Sequence, residues 1–272
     1  GSAMKDILTA PFLTELCEMT ANMYRLGWDE RNGGNISQLL EPGEVAEYLD
    51  LDTCLRRIPL QFDASSLAGR IFIVTGTGKY FKNVKKNPEE NLGILRIAQN
   101  GHEAELLWGF SGGGAPTSEF PTHLMSHAAR LKADPEHRVV MHCHPVNTIA
   151  LTFVCPADER EITRTLWGMC TECIVVFPDG VGLVPWMVSG TNAIGEATAR
   201  KITDRRLVLW AQHGIFGVGH NLDEAFGLIE TVEKAAEIYM KIAPLEIKNR
   251  IPEEQLGALA EQFHVTPRKG YL

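Results

Sequence analysis

The sequence predicts a single α/β domain in which helices cover a central sheet. First, runs rich in β-branched and aromatic residues alternate along the chain with amphipathic helical patterns. Second, the chain has 272 residues, 44% of them hydrophobic, and no repeat, low-complexity stretch or long linker divides it. We expect the domain to span residues 4–272, because Gly1, Ser2 and Ala3 are typical of residues left by an expression tag.

The first predicted elements are a helix and an irregular segment. The helix follows Pro11, which suits a first helical turn, and its apolar positions recur at helical spacing up to Gly27, where we expect it to end. Residues 44–69 mix charges with Cys54 and Pro59 without a sustained period. This composition predicts irregular structure around one or two short strands.

Buried strands and helices alternate through the rest of the chain. Apolar runs bounded by Gly, Pro or Asp predict strands at 71–74, 138–142, 173–177 and 207–210. Amphipathic patterns predict helices at 119–131, 158–169 and 192–202. A longer helix follows Asn221, which we expect to cap it, with Glu224 three residues later. Alternation of this kind by itself favours a parallel sheet.

Composition and charge exclude several classes of function. Lys and Arg number 26 against 34 Asp and Glu, a net charge of −8, and no basic stripe is present, so nucleic acid is not an expected partner. No apolar run approaches the roughly 20 residues of a membrane span, and no secretion signal is visible, so we expect a soluble, cytoplasmic protein. Six sparse cysteines favour reduced thiols, and Cys170 and Cys173 are interpreted as ordinary buried cysteines rather than a metal or redox pair.

Two histidines two residues apart, His142 and His144, lie at the end of the predicted strand 138–142. On a strand such residues face the same side about 6 to 7 Å apart, so both imidazoles can reach one ion. The alternative is two histidines at a strand end with no ligand. His213 is the best third ligand, since it follows the strand 207–210 and precedes Gly214. Three histidines without a thiolate favour a catalytic zinc over a closed structural site. His220 and His264 lack the setting of His213, and the others are expected in surface loops or helices, namely His102, His123, His127 and His137.

Two glycine-containing turns could approach an anion. They are Asn32-Gly-Gly-Asn35-Ile-Ser37 and Thr75-Gly76-Thr77-Gly78-Lys79, where glycine permits close backbone approach and polar side chains supply donors. Plain hairpin turns are the alternative. The second turn is not a nucleotide-binding loop, because Tyr80 stands where Ser or Thr is needed, and Gly217-Val-Gly219 lacks the third glycine of a dinucleotide fingerprint. Glu119 lies near a helix start that Thr117 or Ser118 can cap, where an acidic residue also complements the helix dipole.

Six blocks in chain order resemble the zinc-dependent class II aldolase and adducin-like family. They are Trp28-Asp-Glu-Arg-Asn-Gly-Gly-Asn35, Pro116-Thr-Ser-Glu119, Met141-His-Cys-His144, Thr171-Glu-Cys173 continuing to Phe177-Pro-Asp-Gly180, Pro185-Trp-Met187 and His213-Gly214. The resemblance covers nearly the whole chain. It implies a mostly antiparallel sheet with helices on both faces, and a cyclic homotetramer with active sites near the subunit boundaries.

The resemblance also implies a role for each site residue. His142, His144 and His213 would bind one zinc ion per subunit, and Glu119 would be the catalytic carboxylate. A neighbouring subunit would present Glu172. The substrate phosphate would lie among residues of the two turns and the helix start, namely Asn32, Asn35, Thr75, Gly76, Thr77, Thr117 and Ser118.

The implied activity is reversible cleavage of L-rhamnulose 1-phosphate into dihydroxyacetone phosphate and L-lactaldehyde through a metal-stabilised enediolate. Glu119 would exchange a proton with the enediolate carbon. The group that handles the hydroxyl proton of the aldehyde fragment stays open between zinc-bound water, Tyr80 and Glu172. The alternatives are a fuculose-phosphate aldolase, a pentulose-phosphate epimerase, and a non-catalytic adducin-like interaction module. Segment 44–69 resembles the extra length of the enzymes for rhamnulose 1-phosphate, and the three histidines with Glu119 weigh against a non-catalytic module.

Overall fold

A computed structural model describes residues 3–272, so of the predicted tag residues Gly1 and Ser2 lie outside the described part. Short 3₁₀ turns occur at Ile7–Thr9 and Ser65–Leu67. The strands are β1 (Asn35–Leu40), β2 (Arg56–Pro59), β3 (Ile71–Thr75), β4 (Leu92–Ile97), β5 (Glu103–Gly109), β6 (Val139–Cys143), β7 (Val181–Val184), β8 (Leu207–Trp210) and β9 (Gly214–Gly219). The helices are α1 (Pro11–Arg25), α2 (Pro42–Ala46), α3 (Phe81–Val84), α4 (Pro88–Asn91), α5 (Phe120–Ala133), α6 (Val146–Val154), α7 (Glu159–Met169), α8 (Glu172–Val176), α9 (Asn192–Ile202), α10 (Leu222–Ile242) and α11 (Glu253–Gln262).

Within the described residues, nine strands form one sheet in the order β2-β5-β4-β3-β1-β6-β9-β8-β7. Neighbouring strands are antiparallel except β7 and β8, which are parallel. The mostly antiparallel arrangement implied by the family resemblance is therefore confirmed, and the parallel sheet favoured by alternation is wrong. No helix in residues 3–272 combines the length and apolar character needed to cross a bilayer.

Side chains of successive strand residues point to opposite faces, and both faces are covered. One face packs under α1, α6, α7, α8 and α10, and β6 contributes Val139, Met141 and Cys143 to this core. The other face packs under α5 and α9 and receives Val140 of the same strand. His142 shares that second face, since it stacks on Phe216 and lies against Trp210.

Most predicted elements are confirmed, including α1, α5, α7, α9, α10, β3, β6 and β8. The Asn221 carboxamide caps α10 by accepting from Glu224 N at 2.8 Å. The strand predicted at 173–177 is wrong, because Glu172–Val176 forms helix α8. Its buried residues, Cys173, Ile174 and Phe177, have helical spacing, and the strand beside β8 comes later, at Val181–Val184.

One end of the sheet collects the start or end of four neighbouring strands. There β1 begins at Asn35, β3 ends at Thr75, β6 ends at Cys143 and β9 begins at Gly214. Pairing fixes this alignment, because Asn35 lies opposite His142 and Cys143 lies opposite Ile215. The histidine pair and both glycine-containing turns therefore meet at the same sheet end.

Candidate metal centre and active site

His142, His144 and His213 come together at that sheet end. One ring nitrogen from each lies within 4.8 Å of the others. The ring centroids are 5.0 Å apart for His142 and His144, 5.2 Å for His142 and His213, and 5.0 Å for His144 and His213. Two side chains at the end of β6 and one in the turn between β8 and β9 thus face a common point.

The ring of His142 is held in one orientation. Its Nδ1–H donates to the carbonyl oxygen of Ile215 at 3.0 Å, and its ring stacks on Phe216 with centroids 4.3 Å apart. Nε2 is therefore left with a lone pair. Burial lowers the pKa of His142 well below its ordinary value, and the neighbouring histidines add to the effect. His142 is consequently neutral at physiological pH, the form in which an imidazole can bind a metal ion.

His144 is fixed by the chain before β1. Its backbone N–H donates to the carbonyl of Trp28, and its ring Nδ1–H donates to the Glu30 carboxylate, both at 2.8 Å. The other ring nitrogen, Nε2, is buried and has no hydrogen-bond partner in the described part of the chain. A carboxylate on the far nitrogen of a histidine is the usual support of a metal ligand. Glu30 was not singled out from the sequence, although it lies within the first family block.

His213 lies in the tight turn between β8 and β9. The preceding residue, Gln212, has a left-handed φ of +57°, and Thr152 holds it by accepting from Gln212 N and from Gln212 Nε2, both at 2.9 Å. Burial lowers the pKa of His213 to about 4. The next residue, Gly214, is in close contact with the site: a Cβ there would lie 2.3 Å from the Cys143 carbonyl oxygen.

These residues fit a divalent metal ion. Two of the rings are kept neutral by burial, two have their remote nitrogen occupied by an acceptor, and the unpartnered Nε2 of His144 faces the shared point. Neutral imidazoles arranged in this way are the donor set that zinc and similar ions take.

Glu119 is a buried carboxylate at the N-cap of α5, with 6% of its surface exposed. Its side chain caps no backbone N–H of the helix, and Oε2 has no hydrogen-bond partner in residues 3–272. Burial raises its pKa to about 7, and the backbone N–H of Gly190 works in the opposite direction. Complementing the helix dipole does not require burial, and burial of a carboxylate costs free energy. Glu119 is therefore a buried carboxyl group with a raised pKa, and it lies outside the group of three histidines.

The residues predicted to bind phosphate lie at the same sheet end, but many of their donors are already used. Thr75 Oγ1 accepts from Ile36 N, and the backbone amides of Gly76 and Thr77 donate to Asn91 and Ala115. Thr117 accepts from Glu119 N through its hydroxyl. The exposed side chains of Asn32, Thr77 and Ser118 are left for an anion, together with the NH₂ group of Asn35, which is buried and bonded to His123 through Oδ1.

Glu172 is exposed at the start of α8, and the described chain does not bring it into the histidine group. Its role stays a prediction. His123 and His127 correct the sequence interpretation, because both are fully buried beneath the sheet rather than on the surface. His137 is likewise buried. A helix face packed on a sheet and a helix face exposed to water can both carry histidines at helical spacing. Hydrophobic periodicity in the sequence therefore does not tell the two apart.

Asp134, His137 and His220 form a second cluster, near the opposite end of β6. Arg130 Nε donates to His137 Nδ1 at 3.0 Å, so the single proton of a neutral His137 lies on Nε2, which faces Asp134 at 3.4 Å. That nitrogen has no lone pair for an ion. His220 bridges Asp134 and Glu224. The cluster is thus a hydrogen-bonded network whose ring nitrogens are already engaged.

Comparison with known proteins gives three similarities. The family model described as Class II Aldolase and Adducin N-terminal domain matches residues 14–240. Proteins named rhamnulose-1-phosphate aldolase are 56% identical in Listeria monocytogenes, over 98% of both chains, and 58% identical in Enterococcus faecalis, over 98% of this chain and 96% of that one. The crystal structure of a sugar-phosphate aldolase from Thermotoga maritima superposes with a TM-score of 0.74 at 28% identity, covering 87% of this chain and 97% of that one.

Proposed function

Because this chain belongs to the class II aldolase and adducin family, we propose that it is a lyase that reversibly cleaves L-rhamnulose 1-phosphate into dihydroxyacetone phosphate and L-lactaldehyde. The observation that carries the reaction type is the group of His142, His144 and His213 beside a buried Glu119. The choice of substrate is supported by the relatives, whose likeness extends through residues 44–69 because they align over 98% of this chain.

The ion we propose is zinc, one per subunit. Three imidazoles without a thiolate suit zinc in a catalytic site. When bound, zinc supplies Lewis-acid stabilisation of the negative charge that carbon–carbon cleavage leaves on the ketone fragment. The chain's own part is to hold the ligands, through Ile215 on His142 and Glu30 on His144.

Glu119 would carry the proton. In the cleavage direction its protonated carboxyl delivers a proton to the carbon that has lost the aldehyde fragment, and in the synthetic direction its carboxylate removes that proton. A pKa of about 7 leaves both forms available near neutral pH, which is the condition for efficient general acid–base catalysis. Burial keeps bulk water from competing for the proton.

Phosphate binding and assembly complete the proposal. Asn32, Asn35, Thr77 and Ser118 supply free donors, with Thr75, Gly76 and Thr117 forming the frame beneath them. We propose a cyclic homotetramer in which a neighbouring subunit presents Glu172. Exposed apolar side chains at Phe153 and Trp186 are suited to contact between copies. Six free cysteines and a phosphorylated substrate support action in the cytoplasm.

Incubation with L-rhamnulose 1-phosphate, coupled to an assay for dihydroxyacetone phosphate, tests the function directly. We expect turnover that chelation removes and added zinc restores. L-Fuculose 1-phosphate serves as the matched control, because it differs in stereochemistry and not in composition. Faster cleavage of L-fuculose 1-phosphate would overturn the choice of substrate. If neither compound is cleaved, the proposed aldolase activity is overturned.

A further inference from the structure

Four buried polar side chains form a hydrogen-bonded chain behind the metal centre. Strand β1 contributes Asn35 and Ser37, which share one face, and α5 contributes His123 and His127, one helical turn apart. His123 bonds Asn35 Oδ1 through Nε2 and Ser37 Oγ through Nδ1, both at 2.5 Å, and His127 Nε2 bonds the same Oγ at 2.8 Å. Asn35 pairs with His142 across the two strands, so the chain ends beside the histidine group.

The direction of every hydrogen bond in this chain can be assigned. Both histidines are fully buried and neutral, since burial lowers the pKa of His123 to about 3 and that of His127 well below its ordinary value. Each ring therefore carries one N–H. Asn35 Oδ1 can only accept, so His123 Nε2 donates to it and His123 Nδ1 accepts from the Ser37 hydroxyl. Ser37 has then used its one proton, so His127 Nε2 must donate to it.

If the hydrogen bonds ran in the opposite direction, the polar group left unpaired would cost more free energy. His127 Nδ1 is buried without a partner in the described part of the chain. In the assigned direction it is a bare acceptor. If the Asn35 carboxamide were turned over, His123 Nδ1–H would donate to Ser37, and one buried donor would be left without an acceptor, either the His127 Nδ1–H or the Ser37 hydroxyl. An unpaired buried donor is a rarer and costlier defect than a bare acceptor. The carboxamide is thus fixed with its oxygen inward. Its NH₂ group makes no hydrogen bond within residues 3–272.

We propose that Ser37, His123 and His127 are positioning residues that hold the Asn35 NH₂ group toward the substrate phosphate and so set the preference for phosphorylated substrates. The inference rests on the proposed function, in which Asn35 binds phosphate. A carboxamide free to turn over would present its oxygen to the anion for part of the time. The network removes that orientation, and α5 carries both this network and the Glu119 cap, so phosphate and proton carrier are placed by one helix.

Ser37→Ala breaks the network at its centre and leaves Asn35 in place. With inorganic phosphate as a competitive inhibitor of the zinc-loaded enzyme, we expect the inhibition constant and the KM for L-rhamnulose 1-phosphate to rise about 3- to 20-fold. This is less than the roughly 13- to 160-fold that complete loss of a hydrogen bond to a charged group costs, because Asn35 itself stays in place. We expect kcat and zinc content to stay close to those of the unmodified enzyme. Ser126→Ala is the matched control, because Ser126 is also buried on α5 but its hydroxyl makes no hydrogen bond within residues 3–272.

A double-mutant cycle with Asn35→Ala separates positioning from general loosening. If Ser37 acts through Asn35, Ser37→Ala weakens phosphate inhibition in the unmodified background and has no further effect once Asn35 is alanine. Additive effects, or an unchanged inhibition constant in Ser37→Ala, would overturn the proposal. If Ser37→Ala does not fold, His127→Leu replaces it in the experiment, because this change removes the donor that directs the Ser37 proton. A His127→Leu inhibition constant equal to that of the unmodified enzyme would again overturn the proposal.

The two levels of inference fail separately. An unmodified enzyme that does not cleave L-rhamnulose 1-phosphate contradicts the proposed function. An enzyme that cleaves it, with phosphate inhibition insensitive to Ser37→Ala, contradicts the positioning network alone.

Discussion

Glu119 combines three properties that a cap charge does not need: deep burial, an unpartnered oxygen and a pKa of about 7. Glu119→Gln keeps the size of the side chain and removes the transferable proton. We expect kcat to fall roughly 10²- to 10⁴-fold, the range that general acid–base groups supply, with zinc content retained. The hydroxymethyl proton of dihydroxyacetone phosphate should no longer exchange with deuterated water. Exchange at the unmodified rate would move the assignment to another group, with Glu172 next.

The raised pKa of Glu119 also makes stability depend on pH. Its folded pKa of about 7 exceeds the ordinary 4.5, so the folded state binds the proton more tightly than the unfolded state. The stabilisation is complete below pH 4.5 and is lost as pH rises to 7. In metal-free protein we expect the unfolding free energy of Glu119→Gln, relative to unmodified protein, to increase over this window by on the order of 1–3 kcal/mol. Urea unfolding from pH 5 to 8 measures it, and parallel curves would contradict the assignment.

At the scale of elements, the sequence predicted those whose pattern is local. Leu207–Trp210 and Asn192–Ile202 match their predicted bounds, because a buried apolar run and a capped amphipathic face each carry their own signal. The start of strand β1 overlaps a glycine-containing turn, so the sequence did not indicate a strand there. The apolar run of α8 is as short as a strand, so the sequence indicated a strand in place of the helix. Whether such a short segment forms a strand depends on the strands that can pair with it, and those strands are distant in sequence. The spacing of the histidines in the sequence predicted the histidine group. The contact of Glu30 with that group and the buried Ser37–His123 contact join residues that are distant in sequence, so only the fold shows them.

Close packing where β6 ends and β9 begins predicts that a substitution at Gly214 also affects the candidate metal centre. A Cβ at Gly214 would lie 2.3 Å from the Cys143 carbonyl oxygen, 2.9 Å from His144 and 3.1 Å from His142. Gly214→Ala should therefore push the strand ends apart, with a loss of about 1–3 kcal/mol in stability and weaker zinc retention against a chelator. Gly227→Ala is the matched control, since a Cβ there meets nothing within 4 Å in helix α10, and it should stabilise by about 0.5–1 kcal/mol. Equal zinc retention in both variants would contradict the steric argument.

For the whole molecule, the core on both sheet faces makes the fold independent of the ion. The buried apolar clusters extend over all the long helices and do not rely on the histidine group. His144→Ala should therefore lose zinc and activity together while circular dichroism and the sedimentation coefficient stay unchanged. Loss of structure in this variant, or full activity after exhaustive chelation, would contradict the prediction.

Assembly decides where Glu172 acts. It is exposed on α8 and is not grouped with the three histidines of its own chain, so we expect it to act at the site of a second copy. We expect sedimentation as a tetramer of roughly four times the chain mass.

Co-expression of two inactive variants, Glu119→Gln and Glu172→Gln, tests the shared site. In a mixed ring, a Glu172→Gln chain keeps its own Glu119, and a Glu119→Gln neighbour can supply Glu172, so intact sites form between chains. Random mixing in a cyclic tetramer should restore about one quarter of unmodified activity. Each variant purified alone is the control. If both carboxylates served one site within a single chain, no mixture would regain activity, because every chain would carry one defect in its own site.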